Sequence, residues 1–289
     1  MKTIIPRLLL SALALLAVVP SSFAQRQLGK KKGPIAKIYV ADTKGDSQIE
    51  SGDQIYTMHQ ASAFDAPGTV IETKANSHNA IVYSNGTGMF VDENTRIEIS
   101  SFVQQPFQPA SEDTLDRTHE PSMSQSNVFL SHGAVGLCTN QLLSGSSMIY
   151  ATPLGSVNIR GGKLVIESRG DETYVDLLEG DVTVHGGTKD VGGQVLRPGE
   201  RAVIRATGPD AGVTIMPIPD DAKKKDDERT SAACSSRKSV TFEAIGLSNE
   251  NADGEAAGAE GDQQIVAKPT IPSEPPANIV ISPDRLPGT

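Results

Sequence analysis

KLVIESRGDETYVDLLEGDVTV, residues 163–184, decides the fold. Lys163 to Glu167, Thr173 to Leu178 and Asp181 to Val184 are short runs of apolar and β-branched residues, the composition of strands and not of capped helices. With Glu179-Gly180 joining two alternating strands, Val175, Leu177, Val182 and Val184 share one buried face. Glycine suits such a reversal because it reaches positive φ without a Cβ penalty.

The same pattern extends in both directions. Ala36-Lys37-Ile38-Tyr39-Val40 alternates apolar and polar side chains, the two-residue period of a half-buried strand. Further runs lie at Thr69 to Thr73, Asn79 to Ser84, Gly88 to Val91, Thr95 to Ile99, Asn127 to Leu130, Ala134 to Cys138, Ser147 to Ala151 and Ser156 to Ile159. Three more follow at Gln194 to Leu196, Ala202 to Arg205 and Val213 to Met216. Asn85-Gly86, Gly161-Gly162 and Pro198-Gly199 supply turn chemistry between them. Many short strands at this spacing predict an all-β sandwich or roll, mostly antiparallel. Gln104 to Gln125, with Pro106, Pro109 and Pro121, reads as a long surface loop.

The ends of the chain read differently. Lys2 and Arg7 precede the apolar run Leu8 to Val19, and Ser22-Phe23-Ala24 offers small residues for cleavage. That is the pattern of a cleavable signal peptide over residues 1–24, too short for a comfortable membrane span. The β domain is expected over residues 33–218, with its motif-bearing core over about 38–204. Residues 219–246 carry Lys223-Lys224-Lys225 against Asp226-Asp227-Glu228 and read as a charged linker, with one more strand at Ser239 to Ile245. Residues 247–289 are rich in Ala, Gly and Pro and are expected to be a disordered tail. Ile279-Val280-Ile281 is its one apolar run near the end.

Composition narrows the function classes. The 289-residue chain has a formal charge of -9, so its surface repels nucleic-acid phosphates. An aromatic content of 4%, with no Trp, argues against a large aromatic-lined pocket. The two cysteines, Cys138 and Cys234, have neither a C-x-x-C partner nor a His at ligand spacing, which leaves one disulfide or two unreactive thiols. His59, His78, His119, His132 and His185 form no H-x-H or H-x-x-x-H pair. Ser144-Gly145-Ser146-Ser147 is not a nucleophile elbow, and Asp42 to Ser47 lacks the third-position carboxylate of a calcium loop. Asp92, Glu93, Asp171, Glu172, Asp176, Glu179 and Asp181 are carboxylates ordinary for turns and edges. No catalytic residue, cofactor or metal ligand is assigned, and an enzyme is not expected.

Thr152-Pro153-Leu154-Gly155-Ser156-Val157-Asn158-Ile159-Arg160-Gly161 opens an ordered set of motifs that resembles the FecR domain, being similar to its T-P-x-G-x-V-x-V-R-G-T segment. Gly162 stands where the family usually has Thr. Val175 to Val184 resembles V-x-V-L-E-G-x-V-x-V, and Val195 to Glu200 resembles the closing L-x-P-G-E element. Gly52-Asp53-Gln54-Ile55 and Val128 to Val135 resemble the upstream elements. Gly155, Gly161, Gly180, Pro198 and Gly199 are read as structural turns of this pattern.

The resemblance implies a periplasmic role in signalling from outer-membrane receptors to sigma factors. Because the N-terminus reads as a cleavable signal, the leading expectation is an exported, non-enzymatic binding protein, periplasmic or extracellular. Its partner would be an envelope protein or glycan, with no nucleic acid and no membrane span in the mature chain. A regulator in a FecR-type sigma-factor pathway is the alternative, and a carbohydrate-active hydrolase the second.

Overall fold

The structure is a computed structural model that describes residues 36–107, 118–187, 190, 192–206, 211–246 and 263–270. The signal segment, Ile279 to Ile281 and the middle of the Gln104 to Gln125 loop lie outside the described residues. Strands β1 (Lys37–Lys44), β2 (Ser47–Ser51), β3 (Gln54–Thr57), β4 (Ala63–Asp65), β5 (Thr69–Thr73), β6 (His78–Tyr83), β7 (Gly88–Val91) and β8 (Arg96–Gln104) form the first half. The second half holds β9 (Ser124–Thr139), β10 (Ser147–Ala151), β11 (Gly155–Arg169), β12 (Glu172–Gly186), β13 (Gln194–Leu196), β14 (Glu200–Arg205) and β15 (Gly212–Pro217). Helix α1 (Asp220–Ser236), β16 (Val240–Gly246) and β17 (Gln263–Pro269) complete the chain.

β1 to β15 make one sheet along the path β15-β14-β12-β11-β10-β9-β7-β6-β1-β4, with β13 beside β12 and the β3-β2-β5-β8 branch rejoining at β9. The ladders are antiparallel except for β9 with β10. One apolar core lies inside, running from Ile38, Ile49 and Ile71 through Ile97, Leu130 and Leu137 to Val157, Leu177 and Ile204. The all-β architecture is therefore as the alternation predicts.

The long strands differ from the expected turns. Gly161-Gly162 and Glu179-Gly180 are not reversals, because β11 and β12 run straight through them. Ile159 pairs with Val182 and Gly161 with Asp181, which leaves Arg160 as an extra residue on β11. Lys163 pairs with Glu179 and Leu164 with Leu177, which leaves Leu178 extra on β12. Each bulge inserts one residue and flips the in–out parity. That is why Val157 and Ile159 but then Leu164 and Ile166 face the core, and why Val175 and Leu177 share it with Val182 and Val184. The shared face holds; the turn does not. True reversals occur at Asn85-Gly86 and at Pro198-Gly199, whose glycines have φ of 87° and 89°.

The expected charged linker is mostly helix. Pro219 has an extended backbone, and its carbonyl accepts hydrogen bonds from the amides of Ala222 and Lys223 at 3.0 and 3.2 Å. Asp220 and Asp221 place negative charge in the first turn, where the helix dipole favours it. The opposite-charge blocks fall one turn apart, so Lys223 pairs with Asp220 and Lys224 with Glu228. A 3-10 turn, Arg237–Ser239, leads into β16.

Residues 263–269, assigned from composition to the disordered tail, form β17 against β16. Val240, Phe242 and Ile265 pack on Tyr39, Ala41, Ala80 and Val82, the face of β1 and β6 turned away from the main core. Burying Ile265 completely stabilises the hairpin by about 2 kcal/mol.

Candidate functional site

Helix α1 lies directly on the sheet, and its seat is made of glycine. A Cβ on Gly88 would stand 1.9 Å from the Ala233 carbonyl oxygen, and one on Gly136 would stand 2.7 Å from Arg229 Cβ. The helix buries Asp226, Arg229, Thr230, Ala233 and Ser236, a stripe at helical spacing with one apolar member. Charge and covalent bonding, rather than hydrophobic area, must hold it.

The charges that face it come from three strands and the turn after β7. Arg229, 4% exposed, donates from Nε and Nη2 to Asp92 Oδ2 at 2.9 and 2.6 Å, just beyond β7. Its Nη1 lies 3.6 Å from Glu167 on β11 and 3.6 Å from Asp226. Lys225 adds a contact to Asp92 at 3.3 Å. On β12 the buried Asp176 accepts from Arg201 Nε of β14 at 2.6 Å. Burial works against the Asp92 carboxylate, but hydrogen bonds from Arg229 and the Glu93 amide outweigh it and hold its pKa below the ordinary value. Glu167 is likewise held low, because Arg169, Arg229 and Lys225 overcome its burial.

Asp226 behaves oppositely. Burial first, and then the neighbouring Asp176 carboxylate, push its pKa up to about 8. Ionising Asp226 would place a further negative charge beside Asp176 in a poorly solvated place.

Beside the helix, Cys138 and Cys234 are joined by a disulfide with Cα atoms 5.1 Å apart. It ties β9 to the last turn of α1. Arg237 Nη1 donates to Cys138 Sγ at 3.5 Å, and its Nη2 donates to Asn140. A cleft of about 400 Å³ opens here, lined by Cys138, Arg160, Lys163, Glu179, Asp181 and Arg237 among others. A second cleft, of about 420 Å³, is lined by Cys234, Lys163, Glu179 and Thr230 among others. Lys163 and Glu179 pair at 2.6 Å on the surface between them. Among the described residues, no group of three or more His, Cys, Asp or Glu side chains is placed to hold a metal ion. No described helix is long and apolar enough to cross a membrane.

The motif residues divide between these places. Gly161, Gly162 and Gly180 cross in the first cleft, where β11 and β12 approach closely. A Cβ on Gly162 would meet the Glu179 carbonyl oxygen at 1.9 Å, and one on Gly180 would meet the Gly161 oxygen at 1.9 Å. Gly155 is at the β10–β11 reversal, but its need for glycine is the nearness of the His185 carbonyl, 2.2 Å from a Cβ, and not a positive φ. Pro198 and Gly199 turn β13 into β14, where the Gly199 amide donates to the Leu177 carbonyl at 2.7 Å.

Sequence reasoning missed the helix and the charges it gathers. The signals were Pro219 ahead of Asp220-Asp221, and the 226, 229, 230, 233 spacing of Asp226, Arg229 and Thr230 with Ala233. Among the described strands β3, β4, β13 and β15 each pair on one side only. Of these, β15 exposes Ile215 and Met216, and β3 exposes Ile55 and Tyr56.

Residues 69–183 match the family model described as FecR protein. The matched span runs from β5 into β12, so α1 and the β16–β17 hairpin lie beyond it. Two crystal structures of a candidate anti-sigma factor from Parabacteroides distasonis are similar over 51% of this chain and 59% of theirs. Their identities are 15% and 13%, with TM-scores of 0.37 and 0.36. This chain thus spans about three-fifths of the length of those structures. No curated protein matches it.

Proposed function

We propose that this chain, whose residues 69–183 match the FecR protein model, is a protein-binding regulator in a FecR-type sigma-factor signalling pathway. The match over residues 69–183 carries the reading. It favours the regulator over the freestanding binder that the sequence first suggested. The open margins at β15 and β3 are compatible with it, since unpaired strand edges with exposed apolar side chains dock other chains without special side-chain chemistry. A catalytic role has no support from a nucleophile motif or a metal-ligand group in the described residues, and the close carboxylates Asp176 and Asp226 are buried beneath α1. The proposed site of action is the cell envelope, reached through the signal-like segment at residues 1–24.

The test is transcriptional. Deleting the gene should shift the transcripts of one sigma-factor regulon severalfold, and supplying the wild-type chain in trans should restore them. An unchanged transcript profile under conditions where the chain is expressed would defeat the proposal.

A further inference from the structure

We infer that the Cys138–Cys234 disulfide is a thiol-exchange latch, in which a dithiol attacks Cys234, Cys138 departs as a thiolate beside Arg237, and helix α1 leaves its seat. This goes beyond the signalling reading and does not depend on it.

The two sulfurs have unequal surroundings. Each cysteine lines one of the two clefts, but Cys234 is half-buried on the helix, beside Thr230, Ser231 and Ser235, whereas Cys138 is 4% exposed within β9, so a small thiol reaches Cys234 more readily from solvent. Arg237 Nη1 donates to Cys138 Sγ at 3.5 Å. A guanidinium stabilises a thiolate and lowers the pKa of its thiol. The sulfur with the lower pKa is the better leaving group in exchange. Access and leaving-group stability therefore point to the same direction of attack.

The step balances. The incoming thiolate forms a bond to Cys234 Sγ, the Cys138–Cys234 bond breaks, and its electron pair stays on Cys138. The second thiol of the dithiol, once deprotonated, then displaces Cys234, which takes up a proton. The dithiol is oxidised to a disulfide, and the protein is reduced by two electrons.

Reduction matters because of how the helix is held. Ala233 is the one apolar residue in the buried stripe. The bond ties the last turn of α1 to β9, so cutting it removes the covalent hold on the helix. The charge network remains as the second hold, with Asp226 among its members. Its facing groups are Asp176 on β12, Arg201 on β14, Glu167 on β11, Asp92 beyond β7, and Lys225 and Arg229 on the helix itself. Once α1 leaves, the glycine strip at Gly88 and Gly136 is uncovered. The hairpin stays, because Val240, Phe242 and Ile265 anchor it separately.

The experiment uses the full chain and needs no variant at first. Under native conditions the oxidised protein is treated with 2-mercaptoethanol, quenched with iodoacetamide and mapped by mass spectrometry. The expected intermediate carries mercaptoethanol on Cys234 and alkylated Cys138; the reverse pattern, or an equal mixture, overturns the assignment. After full reduction with dithiothreitol, amide hydrogen exchange over residues 220–236 should accelerate at least tenfold while β11 and β12 stay protected. Unchanged protection of the helix overturns the latch. Arg237→Gln should slow exchange about threefold or more. In a Cys234→Ala background it should raise the Cys138 thiol pKa, with Arg237→Lys bringing it back down. A Cys138 pKa indifferent to residue 237 removes Arg237 from the proposal.

Discussion

Arg229 on helix α1 and Asp92 at the end of β7 are 137 residues apart in the chain and meet through two hydrogen bonds, at 2.9 and 2.6 Å. The contact joins the FecR-matched sheet to an element beyond it. Removing the cation takes from Asp92 its two hydrogen bonds beneath the helix and leaves it Lys225, while Glu167 keeps Arg169. Arg229→Ala should therefore cost about 3–5 kcal/mol, the range for one member of a buried pair. Urea denaturation of the oxidised protein measures it. A loss below about 1 kcal/mol would mean that the pair behaves like a surface salt bridge.

The same network sets a pH dependence. Asp226 holds its proton in the folded chain up to about pH 8, whereas the ordinary value is 3.8. Between those values the folded state binds the extra proton, so this group's contribution is full below about pH 3.8, falls as pH rises and is gone above about pH 8. Asp92 and Glu167 act in the other sense, since their lowered values contribute above the unfolded pKa and are lost as pH falls through the folded one. The decline between pH 5 and 8 accordingly belongs to Asp226. Asp226→Asn should flatten that decline and be more stable than the wild type at pH 8 by roughly 1–3 kcal/mol. Urea midpoints at pH 5, 6.5 and 8 provide the comparison, and an equal slope in both proteins would contradict the assignment.

The strands, the shared inward face of Val175, Leu177, Val182 and Val184, and the order of the FecR motifs were all legible, because each depends on neighbours in sequence. The bulges were not. Arg160 and Leu178 are ordinary residues whose surplus appears only when β11 is laid against β12, and a Gly pair reads equally as a turn. Helix α1 escaped because its buried stripe is Asp226, Arg229 and Thr230, which composition assigns to solvent. Ile265 escaped for another reason: its partners Tyr39 and Val82 lie over 180 residues upstream.

The glycine crossing makes a sharp demand. Gly162 stands where the resembling family usually has Thr, yet its φ is 118° and a Cβ would lie 1.9 Å from a backbone oxygen. Gly162→Thr adds a β-branched side chain at a conformation that L residues rarely adopt, facing a rigid atom. The expected loss exceeds about 3 kcal/mol, by addition of backbone strain and displacement of β12. Circular dichroism during thermal unfolding will show it as a lower Tm. A neutral substitution would mean that the two bulges relax at little cost.

The hairpin offers a local test of the layer beyond the FecR match. Ile265 is fully buried against the outer face of β1 and β6, and it sits opposite Ala244 in the β16–β17 ladder. Ile265→Ala removes three carbons from a packed cluster and should cost about 2–4 kcal/mol of local stability. The main core does not include this residue, so the loss should appear as opening of the hairpin and not as global unfolding. Hydrogen exchange at the amides of residues 240–246 should accelerate in the variant, while those of β11 and β12 keep their wild-type rates. Equal acceleration throughout would show that the hairpin and the sheet unfold as one cooperative unit.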